Sequence, residues 1–225
     1  MHLLTTFIPL ALALSTFTVA HPKLHLAPHH YRGHLLRRSD LTADQLTQIA
    51  PTSNTCTGAA QPDECLTADK AVPFILASFK TYKITAPATQ AALIATMALE
   101  SGEFKYAKNH FPAPGRPGQG TRNMQSKEFN DEYAASIPEV AKLMPEAQKH
   151  GDSGVRDLLT NFGDYDFGSA AWFLTSQCTA DVQSALAKGG DQAFAGYLAC
   201  IGTQGTNART KYYQAALKAL GVSTS

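Results

Sequence analysis

Residues 91–99 read Ala-Ala-Leu-Ile-Ala-Thr-Met-Ala-Leu, and Thr96 is the one polar side chain among them. A segment apolar on every side has no face to offer water, so as a helix it must run through the interior with other elements wrapped around it. Pro87 suits the first turn of such a helix and Gly102 suits the position just past its end. The spacing therefore predicts a buried helix over residues 86–101, and a fold in which most other elements exist to cover it.

The covering elements also read as helices. Residues 41–50 carry apolar side chains at helical spacing, with Thr42 and Gln45 placed as a capping box and Pro51 as the stop. Residues 66–82 are apolar on one side, with Pro73 either kinking the helix or marking its true start. Ser136 and Glu139 form a second capping-box pattern ahead of a helix reaching about His150, and Asp152-Ser153 opens another short one. Helical patterns over 166–177, 179–188, 191–201 and 206–220, the last closed by Gly221, complete the set. Strand signals are scarce, so the fold class is mainly α. Between 104 and 121 the periodicity disappears among Pro112, Pro114, Gly115, Pro117, Gly118 and Gly120, which predicts a central irregular loop or small hairpin. A long irregular segment inside a compact domain is more often functional than idle.

The first 38 residues stand apart. An apolar run over 3–20, interrupted by Pro9 and ending Thr18-Val19-Ala20, reads as a signal peptide over 1–20, and the His- and Pro-rich stretch 21–38, ending Arg37-Arg38, as a propeptide with a dibasic junction. The folded domain would span 39–225. The formal net charge of +1 includes Lys23, Arg32, Arg37 and Arg38 of this leader, which has no acid, so the remainder is net acidic. That argues against nucleic acid as a partner; a secreted, extracellular protein, monomeric and free of the membrane after processing, is expected. Cys56, Cys65, Cys178 and Cys200 in an oxidising compartment imply two disulfides, with three connectivities open and the close pairs 56–65 and 178–200 favoured. His110 and His150, the histidines beyond the leader, lack partners at ligand spacing, so no metal and no organic cofactor is expected.

Chemistry points to Glu100. It closes the most apolar helix, where the negative end of the helix dipole and neighbours such as Met97 and Leu99 oppose ionisation. A carboxyl kept neutral is what a general acid requires. Rotation outward, or pairing with Lys105 or Lys108, is the structural alternative.

Glu100-Ser101-Gly102, Phe104, Asn109-His110-Phe111-Pro112 and Gly118-Gln119-Gly120-Thr121-Arg122-Asn123-Met124-Gln125 together resemble the goose-type lysozyme and lytic transglycosylase superfamily, and are more similar still to the secreted muramidases of filamentous fungi. Gly168 to Leu174 and Arg209 to Tyr213 extend the resemblance. It implies a lysozyme-like catalytic domain, Glu100 as general acid, Gln125 with Met124 lining a sugar site, and peptidoglycan as partner. It also leaves open a chitinase, a transglycosylase or an inactive wall-binding protein.

A second carboxylate is not fixed by the pattern. Asp164, Asp166 and Glu103 are the candidates, with an N-cap role competing at Asp166. Tyr106 and Tyr165 are the aromatics placed to stack on sugar, ahead of Trp172 and Phe173. Lys105, Lys108, Arg116, Arg122 and Lys127 fall in an interval without acids and predict a basic wall, so the candidate binding residues are Tyr106, His110, Arg122, Met124, Gln125 and Tyr165.

Overall fold

The computed structural model describes residues 41–223; the signal-peptide and propeptide readings lie outside them. Eleven α-helices are present among the described residues: α1 (Ala43–Ile49), α2 (Ala68–Thr81), α3 (Pro87–Glu100), α4 (Lys127–Ser136), α5 (Pro138–Ala141), α6 (Met144–Ala147), α7 (Gly154–Thr160), α8 (Gly163–Gln177), α9 (Ala180–Lys188), α10 (Asp191–Cys200) and α11 (Asn207–Ala219). The mainly-α class is as expected.

Helix α3 is the hub. Its residues from Ala91 to Ala98 are all buried, and α8, α9 and α11 pack around it. Burying aliphatic side chains on every side of one helix supplies the main driving force, roughly 1.5–3 kcal/mol for each large side chain. The α1 capping box forms as expected, with Gln45 N donating to Thr42 Oγ1 at 3.2 Å and Thr42 N to Gln45 Oε1 at 3.0 Å. Gln45 Nε2 also donates to the carbonyl of Ala219, joining α1 to the end of α11. Pro73 lies inside α2, which begins at Ala68, so the proline is not the start.

The disulfides are Cys56–Cys65 and Cys178–Cys200, the pairs of shorter span. The first closes the polar loop before α2. The second ties the end of α8 to the end of α10.

The segment 136–150 departs from expectation. Ser136 does not cap the next helix; its hydroxyl donates to the Tyr133 carbonyl, and Ile137 occupies the cap position without a side-chain bond. Pro138 and Pro145 each start a short helix, where a missing N–H is tolerated, and α5, α6 and a 3-10 turn (Gln148–His150) replace one continuous helix. Helix α4, immediately before it, carries no strong periodic signal in the sequence.

The central segment is irregular, as expected. It has two isolated antiparallel bridges, Lys108 to Gly120 and Gly120 to Gln125, and no named strand. Gly120 is required there because a Cβ would come within 2.6 Å of Arg156 Cδ and 2.7 Å of the Ala107 carbonyl.

Candidate functional site

Glu100 ends α3 at the edge of a cleft of about 300 Å³. Thr96, one turn earlier on the same helix, lies in its wall, together with Gln119, Asn123, Met124 and Gln125 of the irregular segment and Arg209 of α11. Phe129, Phe173 and Ile201 give the cleft an apolar side.

The carboxylate of Glu100 is not isolated among apolar groups. Arg209 Nη2 donates to Glu100 Oε1 at 2.6 Å, and both side chains are mostly buried, at 13% and 25% exposure. The sequence considered Lys105 and Lys108 as partners; instead the cation comes from a helix 109 residues away. Lys105 bonds the carbonyls of Thr52 and Thr55, and Lys108 pairs with Asp157 at 3.0 Å.

The turn facing Glu100 is held by its own side chains. Gln119 Nε2 donates to the Met124 carbonyl at 2.8 Å, and Gln125 Nε2 to Asn130 Oδ1 at 2.9 Å. Thr121 and Met124 both adopt left-handed backbone, with φ of 61° and 50°.

Three polar atoms in the cleft wall are buried without a hydrogen-bond partner: Thr96 Oγ1, Gln119 Oε1 and Arg209 Nη1. Buried polar groups are nearly always satisfied, so three exceptions on one cavity call for an explanation. Thr96 itself is 3% exposed. The Tyr197 hydroxyl is the neighbour of Thr96 in this wall, and burial pushes the Tyr197 phenol well above its ordinary range. The cleft therefore offers a guanidinium donor, an amide acceptor, a carboxylate and a hydroxyl beside aromatic and aliphatic surface. That set suits an organic molecule with oxygen functions on an apolar body.

Of the residues predicted from sequence, Glu100, Met124 and Gln125 meet in this cleft. The others do not reach it. Asp166 lies in the first turn of α8, not at its N-cap, which is Phe162. It is 1% exposed and accepts from Arg122 Nε at 2.6 Å. Burial outweighs the guanidinium and pushes the Asp166 carboxyl up to about 6. Arg122, also buried, donates to the carbonyls of Phe104, Tyr106 and Glu64, so it fixes the chain rather than facing a ligand. Both line a second cavity, of about 530 Å³, with Glu64. His110 pairs with Glu64 at 2.9 Å. Asp164 is exposed, Tyr165 bonds Glu139, and Tyr106 packs against His110 and Phe111. Trp172 is core.

The basic wall is likewise largely neutralised: Lys108, Arg122 and Lys127 each have an acidic partner, at Asp157, Asp166 and Asp131. Sequence reasoning missed Thr96, Gln119 and Arg209 as site residues. Thr96 had left a signal, as the single polar residue of the buried helix, one turn before Glu100.

The geometry defines a disulfide-stapled, mainly-α domain with a polar cleft at the end of its buried helix. Among known proteins the chain is similar to a bifunctional dioxygenase–epoxy alcohol synthase of Fusarium oxysporum (strain Fo5176), 43% identical over 159 residues. The aligned part is 68% of this chain and 12% of that protein, so the chain spans about an eighth of its relative. No family model and no solved structure matches.

This relative corrects the lysozyme reading. A protein named for oxygenation and epoxy alcohol synthesis is neither a muramidase nor another glycoside hydrolase, and it gives no support to peptidoglycan as partner. The chitinase, transglycosylase and inactive wall-binding alternatives fall with it. The physical reason for the error is that Glu-Ser-Gly and a Gly-rich turn specify a helix end and a tight loop, which many chemistries share. A redox metal of the kind many dioxygenases use would need a group of histidine, cysteine or carboxylate donors. Among the described residues no three such groups cluster, all four cysteines are in disulfides, and His110 is bound to Glu64. The donor set does not fit such a centre.

Proposed function

We propose that this chain is a small-molecule-binding domain related to a segment of a dioxygenase–epoxy alcohol synthase polypeptide, and that its cleft takes an oxygenated molecule of the epoxy alcohol class. The observation that carries this reading is the convergence of Thr96 Oγ1, Gln119 Oε1 and Arg209 Nη1, all buried and unpartnered, on the cavity that holds Glu100. An epoxide oxygen accepts from Arg209 and Thr96; an adjacent hydroxyl donates to Gln119 or Glu100. The hydrocarbon part lies on Phe129, Phe173 and Ile201. Satisfying buried donors and acceptors is worth about 1–3 kcal/mol for each group relative to leaving it bare. In this reading the domain binds and orients, and the oxygen chemistry belongs elsewhere in such a polypeptide. The signal-peptide pattern and the two disulfides support a secretory, oxidising compartment as its place of work.

The test is an amide-resolved NMR titration of the protein with an aliphatic epoxy alcohol, beside the matching alcohol without the epoxide. Saturable shifts at Thr96, Gln119 and Arg209 with the first and much weaker ones with the second are expected. Equal responses to both, or none, defeat the assignment.

A further inference from the structure

Directly after Glu100 the backbone makes an unusual turn: Gly102, Glu103 and Phe104 have consecutive φ values of 57°, 59° and 67°. Glycine tolerates this region; Glu and Phe do not adopt it without external restraint. The restraint on Phe104 is burial, at 0% exposure, plus the Ser101 hydroxyl accepting from its N–H at 2.9 Å. The restraint on Glu103 is its own side chain. Glu103 Oε2 accepts from Thr52 N at 2.5 Å and from Thr52 Oγ1 at 2.7 Å, while Oε1 accepts from the Tyr212 hydroxyl at 2.6 Å.

Tyr212 lies three residues after Arg209 on α11, as Glu103 lies three residues after Glu100. The end of α3 and the first turns of α11 are therefore joined by two parallel rungs, Glu100 to Arg209 and Glu103 to Tyr212. The first rung faces the cleft. The second is the one whose carboxylate is also tied to Thr52, in the 3-10 turn that follows α1.

We infer that Glu103 is the positioning residue of the site: by holding Tyr212 and Thr52 it fixes the distance and orientation of Arg209 relative to Glu100, and so the shape of the ligand cleft. Lys105, bonded to the carbonyls of Thr52 and Thr55, holds the same 3-10 turn against the chain from the other side. Loss of the Glu103 rung leaves the packing of α11 on α3 in place but removes the tie beside the Glu100–Arg209 pair, which loses its set geometry. The effect on ligand binding rests on the epoxy alcohol reading; the effect on the ion pair does not.

The experiment compares Glu103→Ala and Tyr212→Phe with wild type and with Ile75→Val, a core change on α2 that controls for lost stability. Two quantities are read: the carbon shift of the Glu100 carboxyl with the Arg209 guanidinium nitrogen shifts, and affinity for the epoxy alcohol probe. Glu103→Ala is expected to move the Glu100 and Arg209 signals and weaken the probe about tenfold, the equivalent of one charge-assisted hydrogen bond. Tyr212→Phe reproduces the signal changes in part, and serves as the deciding variant if Glu103→Ala fails to fold. Ile75→Val moves neither. Unchanged Glu100 and Arg209 signals in a folded rung variant overturn the inference. If those signals move but wild type never binds the probe, the positioning role stands and the ligand assignment fails.

Discussion

Arginine 122 offers the most demanding quantitative test of how this domain is held together. Its guanidinium is 2% exposed, bonds Asp166 at 2.6 Å, and donates to the carbonyls of Glu64, Phe104 and Tyr106 at 2.8, 3.0 and 3.3 Å. Replacing it by methionine keeps the volume and removes every donor. Breaking a buried pair from one side costs about 3–5 kcal/mol, because the remaining charge is stranded. The three bared carbonyls raise this toward the upper end. The penalty has a pH signature. In the folded protein burial raises the Asp166 carboxyl to about 6, above the ordinary aspartate value near 3.8. The folded state therefore holds a proton that the unfolded chain has released, and the associated stabilisation is full below 3.8 and lost as pH rises through about 6. Without Arg122 the folded carboxyl holds its proton to still higher pH, so the gap between Arg122→Met and wild type should widen above pH 6. Urea unfolding at pH 5 and pH 7.5 measures both slopes, and the double variant Arg122→Met/Asp166→Leu should recover most of the loss. A single-variant cost under about 1 kcal/mol at pH 7.5, or a gap that narrows with rising pH, refutes the reasoning.

Other outcomes follow from the same structure. Leu93→Ala, at 0% exposure in the central helix, should lower the unfolding free energy by about 3–4 kcal/mol in chemical denaturation. Thr96→Val removes an unpartnered buried hydroxyl; the variant should unfold at equal or higher denaturant and yet bind the epoxy alcohol more weakly, a combination that a purely structural Thr96 would not give. Opening Cys178–Cys200, which spans 22 residues, should destabilise by about 3 kcal/mol, somewhat more than opening the nine-residue Cys56–Cys65 loop, as calorimetry of the paired serine variants would show.

Local signals carried further than long-range ones in this chain. The central helix, the capping box at Thr42 and Gln45, the disulfide pairs and the irregular segment were all legible because each depends on residues close in sequence. The break at 136–150 is not legible from the capping-box pattern at Ser136 and Glu139, because Pro138 and Pro145 dictate where the helix starts fall. Arg122 reads from the sequence as a ligand-facing cation because it falls in an interval without acids. Its partner Asp166 is 44 residues away, and no spacing rule reports that. For the same reason Arg209 was invisible as the mate of Glu100, although Glu100 itself was found at a cleft. The muramidase assignment failed at a different level, since short motifs at a helix end report backbone geometry and leave the chemistry open.

Because Arg209, and the Tyr212 rung beside it, come from the last helix described, the Arg209 side of the groove is complete only when α11 is packed against α3. Helix α11 also takes a hydrogen bond from Gln45 near the opposite end of the described chain. Occupancy of the groove is thereby tied to the docking of α11: a molecule with that helix undocked has Glu100 without its counterion, and a ligand that fills the groove favours the docked state.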